Sequence, residues 1–181
     1  FATNSDNWNN TAYPTTGTRD DGTLTDLIDN MGVPTGIDIA WQCSGVGWNS
    51  DGTGDNEHKI SVGYLDDQNN FGKGAFITLT NVPYANYTVY GLFSSGAGDG
   101  IVNFDVNGTW ALGGDETTTA AASTTINANM SANGEYWTLI EPGVAGNYWK
   151  VDTTGATCTI EGEVQNDTKR GRLCGLVIVT D

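Results

Sequence analysis

Along most of this chain apolar and polar residues alternate with the period of a β-strand, and only one stretch follows the period of a helix. The run GIDIAWQC sets Ile37, Ile39 and Trp41 on one face against Asp38, Ala40 and Gln42 on the other, which predicts a half-buried strand. In IVNFDVNG the same rule sets Ile101, Asn103, Asp105 and Asn107 against Val102, Phe104 and Val106, so a second sheet is expected to cover the apolar side. Further strands are predicted at KISVGYL, GAFITLT, NYTVYGLFSS, TTAAASTTINA, YWTLIEP, YWKVD, ATCTIEGEV and RLCGLVIVT, separated mostly by Gly, Asn or Asp turns. The helical signal is GTLTDLIDNMGVPTG, where Thr23 can cap and Asp26 follows three residues on. There Leu24, Leu27, Ile28 and Met31 share a face and Gly32 can stop the turn, which predicts one short helix near residues 23–31.

About nine strands at short, regular spacing predict an all-β fold, a two-sheet β-sandwich of the jelly-roll kind. The first twenty residues, FATNSDNWNNTAYPTTGTRD, are polar around isolated Trp8 and Tyr13 and follow neither period. Residues 1–20 are therefore expected to form an extended N-terminal arm and residues 21–181 a single domain, a size one core can serve.

Charge narrows the partners. Asp and Glu outnumber Lys and Arg by 22 to 7, for a formal net charge of -15. Such a chain repels phosphate backbones, so no nucleic-acid partner is expected, and an acidic surface can attract calcium. No apolar run is long enough to span a membrane, so no membrane insertion is expected. The sequence starts at Phe1 without a basic, apolar leader, which reads as a mature secreted protein found outside the cell or on its surface.

Chemistry follows the same line. The only histidine, His58, lies between Glu57 and Lys59, and no nucleophile elbow, HExxH or phosphate-cradling Gly-Lys-Ser run is present. The chain is therefore expected not to be an enzyme, with a carboxylate-pair glycosidase as the residual catalytic reading. Loop residues Asp51, Asp55 and Glu57, softened by Gly52 and Gly54, space oxygen ligands as calcium prefers; the plain alternative is a solvated acidic turn. Asp20, Asp21 and Asp26 are explained by charge at a helix N-terminus. Trp41, Trp137 and Trp149 belong to apolar strands and read as core, whereas Trp48, beside Asn49 in a Gly-rich loop, reads as a sugar platform or a loop anchor. Cys158 and Cys174 flank a turn near Asn166 and Asp167, which favours a disulfide between them; three buried thiols with Cys43 are the alternative. Acceptor triplets for N-linked glycans occur at Asn9, Asn86, Asn107, Asn129 and Asn166, in a composition that produces several by chance.

The pieces NWNN, LTDLIDNMGVPTGIDI, NVPYANYTVYGLF, NYWKV and RGRLCGLVIV together resemble a secreted bacterial jelly-roll domain, of the galactose-binding and malectin-like kind found in surface proteins with C-terminal sorting tails. The resemblance spans most of the chain, though Cys174-Gly175-Leu176-Val177-Ile178-Val179 stands where such domains often end in an Asn-Gly-Leu-Gln-Ile-Val-like strand. It implies the fold and an extracellular location and leaves activity open.

Two functions fit these features. In the first, the chain is a structural subunit of a surface filament or array, a homopolymer in which the arm of one subunit adds as a strand to the next, anchored by Trp8 and Tyr13. In the second, it is a non-catalytic carbohydrate-binding module that offers Trp48 and Asn49 to a polysaccharide from a calcium-supported loop.

Overall fold

The computed structural model describes residues 7–10, 20–43, 45–48, 63–66, 73–93, 100–116, 118–121, 137–141, 144–163, 169–170 and 173–180. These residues form an all-β fold. The larger sheet is antiparallel, with six strands in the order β1 (Asp20–Leu24), β2 (Asp38–Cys43), β5 (Lys73–Thr80), β12 (Cys158–Glu163), β8 (Phe104–Val106) and β9 (Thr109–Trp110). The second sheet is antiparallel in the order β11 (Tyr148–Thr154), β6 (Asn86–Leu92) and β14 (Gly175–Thr180). The two make a β-sandwich. Smaller sheets comprise β10 (Thr119–Ala121), β7 (Gly100–Val102) and β13 (Lys169–Arg170), and the pair β3 (Gly45–Trp48) and β4 (Gly63–Asp66).

The core lies between the two main sheets. Ile77, Leu79, Phe104, Val106, Cys158 and Ile160 point in from the larger sheet and Tyr87, Val89, Trp149 and Val151 from the smaller one. Each such side chain contributes on the order of 1.5–3 kcal/mol by leaving water. Across the seam Phe104 stacks on Trp149, with centroids 5.3 Å apart and planes at 30°. Glycine makes room for these rings. Gly22 is registered opposite Trp41, Gly91 opposite Trp149 and Gly162 opposite Phe104, and in each pair a Cβ on the glycine would collide with the ring lying over it.

Several turns are set by short polar side chains. Asn107 and Gly108 take φ of 51° and 84°, the two-residue hairpin that closes β8 onto β9. The Asn107 amide donates to Thr153 Oγ1 at 3.0 Å and to the Thr157 carbonyl at 3.3 Å, and its oxygen accepts from the Thr159 N–H at 2.8 Å.

The structure departs from the sequence expectations at three places. The helix near residues 23–31 is not formed. Thr23 is a strand residue opposite Ala40, and Asp26 has φ of 53°. The Asp29 carboxylate accepts the N–H groups of Met31 and Val33 at 2.8 and 2.9 Å, and Asp26 Oδ1 accepts that of Gly36 at 2.9 Å. These local bonds compete with helical ones, and Met31 is 76% exposed while Leu27 packs against the core, so the apolar residues of the expected helical face do not share one covered face.

Secondly, the chain from Ile101 to Val106 is two strands in different sheets, broken at Asn103. Asn103 was expected to share an outward face with Asp105, yet its side chain is fully buried. Its oxygen accepts from Phe104 and Leu112 N–H, and its amide donates to the carbonyls of Gly113 and Asp115. A buried amide with all these bonds satisfied carries little penalty and ties the 111–115 loop to the sandwich.

Thirdly, the Cys158–Cys174 disulfide is not present, and Cys43 is not disulfide-bonded either. Cys158 opens β12, which pairs with β5 and β8, whereas Cys174 leads into β14, which pairs with β6. The two cysteines therefore serve different sheets and do not face each other across one hairpin.

Candidate functional site

Strand register assembles, on the outward face of the six-stranded sheet, a row of side chains drawn from distant parts of the sequence. Asp21 lies opposite Gln42, Gln42 opposite Phe76, Phe76 opposite Glu161, Glu161 opposite Asp105, and Asp105 opposite Trp110. Directly opposed residues point to the same face, and neighbouring strands lie about 4.8 Å apart, so the row runs for about 24 Å across the sheet. Asp21 and Gln42 are exposed; Phe76, Glu161, Asp105 and Trp110 are half-buried. The next row, Thr23, Ala40, Thr78 and Thr159, adds hydroxyl groups beside it. Between the two rows, over β1, β2 and β5, lies an open depression of about 440 Å³.

Each residue is in this row because strand alternation sends its neighbours inward. Ala75 and Ile77 are buried on either side of Phe76, and Ile160 and Gly162 on either side of Glu161. Trp110 is aimed by the tight Asn107–Gly108 turn, and one Asp105 carboxylate oxygen accepts the Gly108 N–H at 2.8 Å. The face combines two aromatic rings with carboxylates and an amide. Among residues with described side chains Lys150 alone is basic, and it lies on the other sheet.

The sequence-predicted residues fall elsewhere. Trp8 is half-buried against its own chain; its neighbours Asn7 and Asn9 reach the 28–30 turn through side-chain amides. Asn7 Nδ2 donates to the Asn30 carbonyl at 3.0 Å, Asn9 Nδ2 to the Ile28 carbonyl at 2.8 Å, and Asn9 Oδ1 accepts the Ile28 N–H at 2.9 Å. The Trp8 indole N–H is buried without an acceptor among the described residues. Trp48 ends β3, with its backbone opposite Gly63. Tyr13, Asn49, Asp51, Asp55 and Glu57 lie outside the described residues, as do Asn129 and Asn166. Among the described residues no group of three His, Cys, Asp or Glu side chains is placed to hold a metal ion. Of the glycan acceptors, Asn9 and Asn107 have their amides engaged in the hydrogen bonds above, whereas Asn86 is exposed at the start of β6.

Inside the sandwich one titratable pair spans the seam. Burial pushes the Cys158 thiol up to about 11, partly offset by a hydrogen bond with Tyr87. Burial also pushes the Tyr87 phenol up to about 12, aided by repulsion from the Cys158 thiolate and their hydrogen bond. Tyr87 donates its hydroxyl to the Gly155 carbonyl at 3.0 Å. Both groups are protonated at neutral pH and serve packing rather than chemistry.

Compared with known families, characterised proteins and solved structures, the chain matches no family model, no characterised protein and no solved structure. The likeness to galactose-binding and malectin-like domains therefore rests on the short sequence motifs alone.

The outward row was missed by sequence reasoning. Alternation marks Phe76 and Glu161 as outward within their own strands, but strand order and register bring them together, and neither is written locally in the chain.

Proposed function

We propose that this protein is an extracellular, non-catalytic structural subunit that joins copies of itself through its N-terminal arm. The observation that supports this reading is how residues 7–10 meet the sandwich. They are held by the amides of Asn7 and Asn9 on the 28–30 turn rather than by a strand ladder of their own. A short segment held by a few exposed side-chain bonds exchanges readily between its own chain and the same turn of a neighbour, the route by which arms are swapped. The indole N–H of Trp8 is buried without an acceptor among the described residues, and an acceptor from a neighbour would satisfy it, a gain of about 1–3 kcal/mol. The acidic surface keeps such subunits soluble before assembly.

Negative-stain microscopy of the intact chain beside a variant lacking residues 1–15 tests the reading. Filaments or arrays from the intact chain, lost in the truncation and weakened in Asn9→Ala, are expected. Dispersed particles from the intact chain, or assemblies that survive the truncation, overturn it.

A further inference from the structure

We propose that the outward face of the six-stranded sheet is a binding site for an uncharged glycan chain, laid across the strands along the row from Asp21 to Trp110. This goes beyond the assembly reading and does not depend on the arm.

Four features select this ligand. Phe76 and Trp110 are half-exposed aromatic rings in one row, on β5 and β9, with two strands between them and therefore about 14 Å apart. Aromatic rings standing on a sheet face suit the C–H faces of sugar rings, whose polarised hydrogens meet the negative face of the π-system. Between the rings stand Glu161 and Asp105, and beyond Phe76 stand Gln42 and Asp21, so acceptors and an amide lie where equatorial hydroxyls of a stacked chain would point. The adjoining Thr23, Thr78 and Thr159 belong to a second row that adds hydroxyl groups.

Charge then excludes the other polymers. The row holds three carboxylates and no basic residue, and the whole chain carries -15, so polyphosphates and uronic-acid glycans are repelled. A protein partner is disfavoured because the two rings are separated by carboxylates; a docking patch needs a continuous apolar centre. The ladder of backbone bonds across all six strands holds the row rigid, so little order has to be gained on binding.

The test uses the intact chain and hexasaccharides of β-glucan, xylan and mannan, with heparin and polygalacturonate as anionic controls, read by tryptophan fluorescence and calorimetry. Saturable binding of at least one neutral hexasaccharide is expected, unchanged by added sodium chloride. Trp110→Ala and Phe76→Ala each weaken it about tenfold or more, the scale of one lost stacking contact, while Tyr90→Ala on the opposite sheet leaves it unchanged. Glu161→Gln, which keeps shape and removes only charge, guards against misfolding and is expected to weaken the same binding with an unaltered circular dichroism spectrum. Removing residues 1–15 leaves binding intact, so failure of the assembly reading and failure of this one are separable. Binding of none of the neutral chains, binding confined to the anionic controls, or binding indifferent to Trp110→Ala and Glu161→Gln overturns the proposal.

Discussion

The two sheets of the sandwich obey the same rule inside and finish differently outside. Each holds an aromatic ring over a glycine on the neighbouring strand, Trp41 over Gly22 in the larger sheet and Trp149 over Gly91 in the smaller. Outside, the larger sheet carries carboxylates, an amide and two separated rings. The smaller carries Tyr90 and Tyr148 in contact at 6.0 Å, with Lys150, Val177 and the Thr88–Asp152 hydrogen bond of 2.6 Å beside them. Six strands in register make a row long enough for a polymer, whereas three strands span only about 10 Å, and their aromatic residues satisfy one another. Aromatic content therefore does not mark a surface for recognition. On the proposed reading, what matters is whether register spaces the rings apart and places polar groups between them.

The largest expected effect breaks the inner likeness of the two sheets. Gly91→Ala must displace the fully buried Trp149 indole from a central strand and is expected to cost about 3 kcal/mol, seen in urea unfolding. Gly22→Ala meets Trp41, which is half-buried beside an edge strand and can swing outward, so about 1 kcal/mol is expected. Equal costs would mean that Trp149 is not the less yielding of the two.

Next comes the turn that aims Trp110. Asn107→Ala removes four side-chain hydrogen bonds and puts a poor residue at φ of 51°, for an expected loss of about 2 kcal/mol. Asn107→Gly restores the backbone conformation without the bonds and is expected to recover part of that loss. If the two variants match, the side-chain bonds rather than the turn conformation carry the effect.

The seam between the sheets is read by pH. Folded Cys158 and Tyr87 hold their protons more tightly than the unfolded chain does, so above the ordinary thiol pKa of about 8.5 the unfolded state binds fewer protons. Stability is therefore whole at neutral pH and falls as pH rises toward 11 and 12, where the folded groups titrate. Unfolding midpoints that decline through this range, with the first part of the decline removed in Cys158→Ala, are expected. A flat profile would contradict the burial of the pair.

The smallest effect is the absence of one. Cys158 belongs to the larger sheet and Cys174 leads into the smaller, with no disulfide stapling them, so reductant is expected to leave the unfolding midpoint unchanged. Thiol titration in denaturant without reductant is expected to count all 3 cysteines.

The sequence by itself determined that this chain is built of strands, because alternation at period two is local and the longer strands β2, β5, β6, β11 and β12 each carry their own copy of it. It placed β2, β5, β6, β11, β12 and β14 within a few residues, and it put Trp149 in the core. It misjudged residues 23–31, where apolar spacing suited a helix but the Asp26 and Asp29 side chains bond the backbone into turns. Asn103 also escaped it, since a polar residue in an alternating run reads as exposed until four partners are seen around it. Only the tertiary structure decided which strands are neighbours. That choice separates Cys158 from Cys174 and lines up Asp21, Gln42, Phe76, Glu161, Asp105 and Trp110. Cross-strand order depends on how whole faces bury one another, a sum over the sandwich that no short window of sequence contains.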